Sequence, residues 1–138
     1  MKRYIARAEP ICRRSIVEVH ALGEHLAAAA GDAESIGATV ASGLVKPGIE
    51  ILSDKAADLR AIRPAPNAAD LNVYLGLFDP IVELSRQLLQ AAEANDGSRL
   101  HELELIVADL GREQSAAARG FGFRDCALGF TDSLGGVG

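Results

Sequence analysis

Apolar side chains recur every three or four residues along most of the chain, which is the period of an amphipathic α-helix. The first stripe runs from Tyr4 to about Ala29 and ends before Gly31. A second stripe, from Asp32 to Ile62, is interrupted by Pro47-Gly48. Because proline removes a backbone donor and clashes with the preceding turn, we expect a kink or a short break there. The first stripe consists of Ile5, Cys12, Ile16, Val19, Leu22 and Leu26.

Two more helices are predicted after the proline-rich segment 64–66. Asn67 is placed to cap the third helix, whose apolar stripe continues through Asp79-Pro80. We interpret that dipeptide as a kink within one helix rather than a boundary between two. The tight turn Asn95-Asp96-Gly97 leads into the fourth helix, which keeps strict three-four spacing. Its stripe consists of Leu100, Leu103, Val107, Leu110, Gln114, Ala117 and Phe121.

Short links between long helices make sequential neighbours antiparallel. The pattern therefore predicts an all-α fold, an up-down-up-down four-helix bundle whose second and third helices are kinked. A chain of 138 residues is long enough for one domain with a proper core. We expect that domain to span residues 1–130. Residues 131–138 contain three glycines and little to bury, so we expect them to form a flexible tail.

The chain has two cysteines, Cys12 near its beginning and Cys126 near its end. Phe121, Phe123 and Phe130 surround the second cysteine, so we expect this segment to dock across the bundle end. Docking would bring Cys126 near the inward face of the first helix, where Cys12 lies. We predict a disulfide, which would stabilise the fold by roughly 4 to 5 kcal/mol in the chain-entropy view. Two free thiols are the alternative.

Composition narrows the possible partners and the compartment. The net charge is −5, whereas binding a polyanion requires clustered cations, so nucleic acid is excluded as an expected partner. No stretch approaches the roughly 20 apolar residues needed to span a bilayer, and Met1–Arg14 lacks the apolar core of a signal peptide. Because disulfides persist mainly outside the cytosol, we expect the natural precursor to begin upstream of Met1.

Spacing argues against the usual metal and cofactor sites of helical bundles. A carboxylate-bridged di-iron site needs Glu-x-x-His, yet no Glu stands three residues before His20, His25 or His101. We therefore predict no cofactor, no metal and no enzymatic activity. His20 and Glu24 share a helix face and could form half of a zinc site, although a surface pair is the simpler interpretation.

Two other polar features of the sequence have structural explanations. Glu50, Asp54 and Asp58 stack at four-residue intervals, where Lys55 and Arg60 would neutralise them, or a divalent cation would bind. Gln114 stands alone at an inward position of the fourth helix. Because buried polar groups require partners, it would set the register by hydrogen bonding.

The two proline interruptions also predict a place for a ligand. Pro47-Gly48 and Asp79-Pro80 would distort neighbouring helices near mid-height and separate their axes locally. The resulting gap would be apolar with one hydroxyl, a setting that suits a small ligand. Larger side chains could instead fill the space, because protein interiors are close-packed. The predicted pocket is lined by Leu44, Ile51, Tyr74 and Phe78.

Three segments are similar to a loose group of uncharacterised actinobacterial secreted or lipid-anchored proteins. These are Tyr4–Arg14, with sequence YIARAEPICRR; Leu59–Pro66, before the prolines; and Ala116–Cys126, which closes the pattern. This chain departs from the group in lacking a signal sequence and in having Asn95-Asp96-Gly97 where Gly-Asp is usual. The resemblance implies an extracytoplasmic helical bundle with its two cysteines joined, and it implies no activity.

Taken together, these features predict a non-enzymatic extracytoplasmic bundle that binds a protein partner or small ligand, or has a role in the cell envelope. The alternative is a cytosolic four-helix protein with two free thiols and an unrecognised metal-binding or catalytic role. The sequence leaves the oligomeric state open.

Overall fold

The computed structural model describes residues 1–29 and 45–129, and this part of the chain is helical without any strand. The all-α prediction is therefore confirmed. The order of sequential helices, up-down-up-down, stays a prediction, and the predicted tail at 131–138 lies outside the described residues. The elements are α1 (Lys2–Ala29), α2 (Lys46–Arg60), α3 (Ala69–Gly76), α4 (Phe78–Glu93), α5 (Gly97–Phe121) and a 3-10 turn (Asp125–Ala127).

The first turns of α2, α3 and α5 differ in their local chemistry. Pro47 lies in the first turn of α2, where a missing N–H leaves no hydrogen bond unmade. The chain before residue 45, including the predicted cap Asp32, lies outside the described residues. The side chain of Asp96 caps α5 by accepting a hydrogen bond from Arg99 N at 3.1 Å. The prediction for Asn67 was wrong, because Ala68 occupies the N-cap of α3 without a side-chain bond.

The predicted third helix is divided in two at Leu77 rather than continuing as one kinked helix. Pro80 has no N–H to donate to the carbonyl of Gly76, so the hydrogen-bond ladder opens at this point. The interruption is short, because Leu77 N still donates to Val73 O at 3.1 Å and Ile81 N donates to Leu77 O at 3.2 Å.

The face of α1 that enters the core differs from the predicted stripe. Its buried residues are Tyr4, Ala8, Cys12, Ser15 and Val19, whereas Ile5 and Ile16 are only partly buried. The small side chains Ala8 and Ser15 allow α1 to approach its neighbours closely. Ser15 remains satisfied because its hydroxyl donates to Cys12 O at 2.8 Å. The prediction was correct for Cys12 and Val19, whereas Tyr4, Ala8 and Ser15 are buried in place of Ile5 and Ile16.

Aromatic rings join the two ends of the chain to the middle of the core. Phe121 and Phe123 pack with ring centroids 4.9 Å apart, and Tyr4 meets Phe121 edge-on at 6.0 Å. Phe123 also contacts Tyr74, at 5.4 Å, so the ring cluster extends to α3. The hydroxyl of Tyr4 donates to Leu59 O on α2 at 3.1 Å, which satisfies the polar end of a buried ring.

A glycine turn at the end of α5 directs the chain back into this cluster. Gly122 has a φ of 111°, in the left-handed region. Its N–H bonds to Arg119 O at 3.1 Å, and Phe123 N bonds to Ala118 O at 3.0 Å. This pair of bonds is a Schellman motif, which ends a helix and satisfies its last carbonyls. Phe123 and the 3-10 turn are thereby directed toward α1.

Replacing Gly122 by alanine should destabilise the protein by about 1 kcal/mol or more, because a Cβ disfavours a left-handed φ. The added atom would also lie 3.3 Å from Cδ1 of Ile5. The matched control is Gly111→Ala within α5, where an added Cβ meets nothing within 4 Å. That change should stabilise the helix by about 0.5 to 1 kcal/mol. Urea unfolding measures the change in the free energy of unfolding for both variants. An unchanged free energy of unfolding in Gly122→Ala would contradict the role assigned to the turn.

Candidate functional site

The C-terminal segment is held against α1 by a covalent bond and an ion pair. The Sγ atoms of Cys12 and Cys126 lie at bonding distance, with their Cα atoms 5.1 Å apart, so the predicted pairing is present in the structure. Both cysteines are buried. Beside them, Arg13 on α1 pairs with Asp125 at 2.9 Å. Because this ion pair is exposed, its contribution to stability is small beside that of the disulfide.

Glu9 supplies a third attachment, which sequence reasoning missed. Its carboxylate accepts hydrogen bonds from three consecutive backbone N–H groups, at Arg124 (3.2 Å), Asp125 (2.9 Å) and Cys126 (3.1 Å). These are donors at the start of the 3-10 turn, which have no partner within the turn itself. The available signal was the position of Glu9, one helical turn before Cys12 and the only acid in a basic segment.

A cavity of about 410 Å³ lies among α2, α4 and α5, with Tyr74 of α3 and the 3-10 turn also contributing to its wall. We call it the central cavity. Its walls are mostly aliphatic, with a few polar side chains, including Lys55, Ser85 and Gln114, placed among them. This combination of an apolar surface and a few fixed polar groups is typical of small-molecule sites. The aliphatic wall includes Ile49, Leu52, Ile81, Leu88, Val107 and Leu128.

The structure distributes the four predicted pocket residues differently. Tyr74 lines the central cavity, while Phe78 is buried next to it, with ring centroids 5.2 Å apart. Ile51 instead lines a second, more polar cavity between α1 and α2, because it is rotated by one residue from Leu52. Leu44 lies outside the described residues. Of the predicted lining residues in the described part of the chain, Tyr74 alone lines the central cavity, and the prediction did not include α5.

Lys55 is the unusual polar residue of the central cavity. Its side chain is partly buried, and its Nζ lies 5.9 Å from the centre of the Phe78 ring. Among the described residues Lys55 has neither an ion-pair nor a hydrogen-bond partner. Burial lowers the pKa of Lys55 to about 8, and the negative charge of Glu9 offsets only part of that effect.

The prediction that Lys55 neutralises the acidic stack on α2 was therefore wrong. Asp58 pairs with Arg14 of α1 at 2.6 Å, and Arg60 pairs with Asp79 of α4 at 3.1 Å. Both ion pairs join α2 to a different helix. These two ion pairs connect α2 to neighbouring helices, whereas Lys55 lines the central cavity.

Polar groups around Tyr74 are satisfied by bonds between elements. Gln114 Nε2 of α5 donates to Tyr74 O at 2.9 Å, which is the kind of partner that its inward position predicted. The Tyr74 hydroxyl is 3.7 Å from Cys12 Sγ and donates toward it, since a bonded sulfur carries no hydrogen. Burial raises the pKa of Tyr74 well above its ordinary value, with Tyr4 and Glu9 adding to the effect. Tyr74 is therefore a neutral hydroxyl at physiological pH.

His20 and Glu24 lie at the surface, which was the preferred interpretation of this pair. His20 Nε2 lies 3.0 Å from Glu24 Oε1, with His20 about half exposed and Glu24 largely exposed. Within residues 1–29 and 45–129, no cluster of three or more metal-ligating side chains occurs. None of the described helices combines the length and apolarity needed to cross a membrane.

No protein-family model, curated protein or solved structure matches this chain. Conclusions about function therefore depend on the chemistry of the site.

Removing the disulfide should lower the free energy of unfolding by about 2 to 5 kcal/mol, because the unfolded chain gains conformational freedom. The double variant Cys12→Ser/Cys126→Ser tests this without leaving a free thiol. Guanidinium unfolding gives the energy difference, and the intact mass of the wild type should rise by two protons on reduction under denaturing conditions. Free thiols in the unreduced wild-type protein would contradict the assigned bond.

The wild-type protein should become more stable as the pH rises from about 8 toward 10.5, because of Lys55. In this range the unfolded chain binds more protons than the folded protein, since the folded pKa is the lower one, so deprotonation favours folding. Relative to Lys55→Met, the wild type should gain up to about 3 kcal/mol across this range. Urea unfolding at a series of pH values measures the difference. The exposed control Lys46→Met should follow the wild-type curve, and parallel curves for wild type and Lys55→Met would contradict the prediction.

Proposed function

We propose that this protein is a non-enzymatic, extracytoplasmic binding protein that holds a small, mainly apolar molecule in its central cavity. The observation that carries the proposal is the cavity itself, about 410 Å³ with largely aliphatic walls. Cavities of this size are in the range of small-molecule sites, and the aliphatic walls distinguish this one from the more polar second cavity.

The rigidity of the surrounding structure supports a binding role. Ligand pockets are usually preformed, since ordering a site upon binding costs affinity. Here the disulfide and the Glu9 cap hold the 3-10 turn, which contributes Cys126 to the cavity wall. Gln114 ties α5 to α3 at Tyr74, another wall residue. The wall therefore consists of elements fixed to one another.

An extracytoplasmic location is supported by the disulfide, because such bonds persist in oxidising compartments. The resemblance of Tyr4–Arg14 to secreted or lipid-anchored proteins agrees with it. The alternative, a cytosolic protein with a metal or catalytic role, requires reduced cysteines. Thiol titration of the protein isolated from its native cells distinguishes the two, since free thiols would favour the cytosolic alternative.

Binding of a protein partner and an envelope role are the other functions to be weighed if the cavity proves empty of ligands.

Filling the central cavity with a larger side chain should weaken the binding of an apolar probe. Ser85 lines the central cavity, and its hydroxyl donates only to Ile81 O within its own helix, at 2.7 Å. We expect 1-decanol to bind wild-type protein with one-to-one stoichiometry and Ser85→Phe to weaken this binding at least tenfold. Titration calorimetry measures the affinity, and circular dichroism verifies folding.

The matched control is Ser98→Phe, which adds the same ring at an exposed position of α5 outside the cavity. It should leave binding unchanged. If Ser85→Phe does not fold, Leu88→Trp provides a second filling variant on the same wall. Unchanged decanol binding in a folded filling variant, or no binding to wild type, would overturn the proposal.

A further inference from the structure

Lys55 is the most buried of the cationic side chains that line the central cavity. Arg112 and Arg119 also line the cavity, but both are exposed, and Arg112 already pairs with Asp109. Lys55, in contrast, is partly buried and lacks an ion-pair partner in the described part of the chain. A desolvated charge without a counter-ion is costly to the fold, because attraction to an opposite charge is what normally offsets its lost hydration.

The position of Phe78 shows on which side of α2 this ammonium lies. Lys55 borders both the central cavity and the second cavity between α1 and α2. The second cavity is lined only by residues of α1 and α2, whereas Phe78 belongs to α4. Nζ is 5.9 Å from the Phe78 ring, so the ammonium extends from α2 toward α4, whose Ile81 lines the central cavity, and not toward α1.

The protein's own nearby acid does not neutralise this charge. Glu9 is close enough for its charge to be felt at Lys55, yet no ion pair forms between them. The carboxylate of Glu9 instead accepts the three backbone hydrogen bonds at the start of the 3-10 turn. Glu9 therefore leaves Lys55 without an ion-pair partner, and no acidic side chain is among the described residues that line the cavity.

We propose that the ligand of the central cavity is an amphipathic monocarboxylate, whose carboxylate pairs with Lys55 and whose apolar body lies against the aliphatic wall. This inference deepens the proposed function and rests on it. One ammonium compensates one negative charge. A dianion such as a phosphate monoester would need a second cation, but Arg112 is already paired with Asp109 and Arg119 is exposed, so a single carboxylate matches the one partly buried cation.

Decanoate and 1-decanol test the inference, because they have the same chain length and differ in charge. Calorimetry at pH 7 on the oxidised full chain should show decanoate binding at least tenfold more tightly than decanol. In Lys55→Met, decanoate should weaken at least tenfold, while decanol should bind unchanged or more tightly. The exposed-lysine control Lys46→Met should retain the wild-type preference. All titrations stay below the concentration at which decanoate forms micelles.

Proton linkage provides a second readout that a general packing effect would not produce. At pH 8.5 a bound carboxylate should favour the protonated form of Lys55, so decanoate binding should take up protons and decanol binding should not. Titrations in two buffers of different ionisation enthalpy measure this uptake. Other ionisable groups act on Lys55 or line one of its two cavities: Glu9, Arg14 and Glu18 on α1, Asp54 and Asp58 on α2, Tyr74 on α3, and Arg112 and Arg119 on α5. If Lys55→Met binds decanoate without taking up protons, the uptake seen in the wild type is assigned to Lys55.

The outcomes separate the two proposals. Equal affinity of the wild type for decanoate and decanol would overturn the carboxylate inference and leave the apolar binding function intact. A preference for decanoate that survives in Lys55→Met would also overturn the inference, since the anion would then pair elsewhere. Binding of neither compound would overturn the proposed function together with the inference.

Discussion

The attachment of the C-terminal segment to the first helix is the constraint on which the rest of the core depends. A disulfide alone would join Cys12 to Cys126 but leave the polar backbone of the 3-10 turn unsatisfied. The carboxylate of Glu9 accepts those three N–H groups, so the turn can be buried without the cost of unpaired donors. With the turn in place, Phe123 completes the ring cluster that joins Tyr4 to Tyr74.

Glu9 also acts on the electrostatics of Lys55. Its carboxylate accepts the backbone N–H groups of the turn, and its charge partly offsets the effect of burial on the pKa of Lys55, although the two form no ion pair. Lys55 is a partly buried side chain beside Phe78. The charges of α2 that pair, Asp58 and Arg60, do so with other helices.

Apolar periodicity was most informative where one helix has one buried stripe. Leu103, Ala117 and Phe121 are buried in α5 as their spacing predicted, while the other four members of the stripe are partly buried and none is exposed. It was less informative where small residues permit close packing, because Ala8 and Ser15 of α1 are buried while the larger Ile16 is not. Pro80 marked an interruption, but periodicity alone could not distinguish a kink from the division at Leu77.

The sequence by itself determined the helical class, the turn before α5 and the plausible pairing of two cysteines, because these follow from local spacing and from there being two such residues. The apolar gap between distorted helices stays a prediction, and of its described lining residues only Tyr74 lines the central cavity. Only the tertiary structure decided that α5 forms one wall of the central cavity, that Ile51 lies outside it, and that Glu9 caps a turn more than 100 residues away. Such contacts depend on the relative rotation and approach of whole helices, which the periodicity of one helix does not encode.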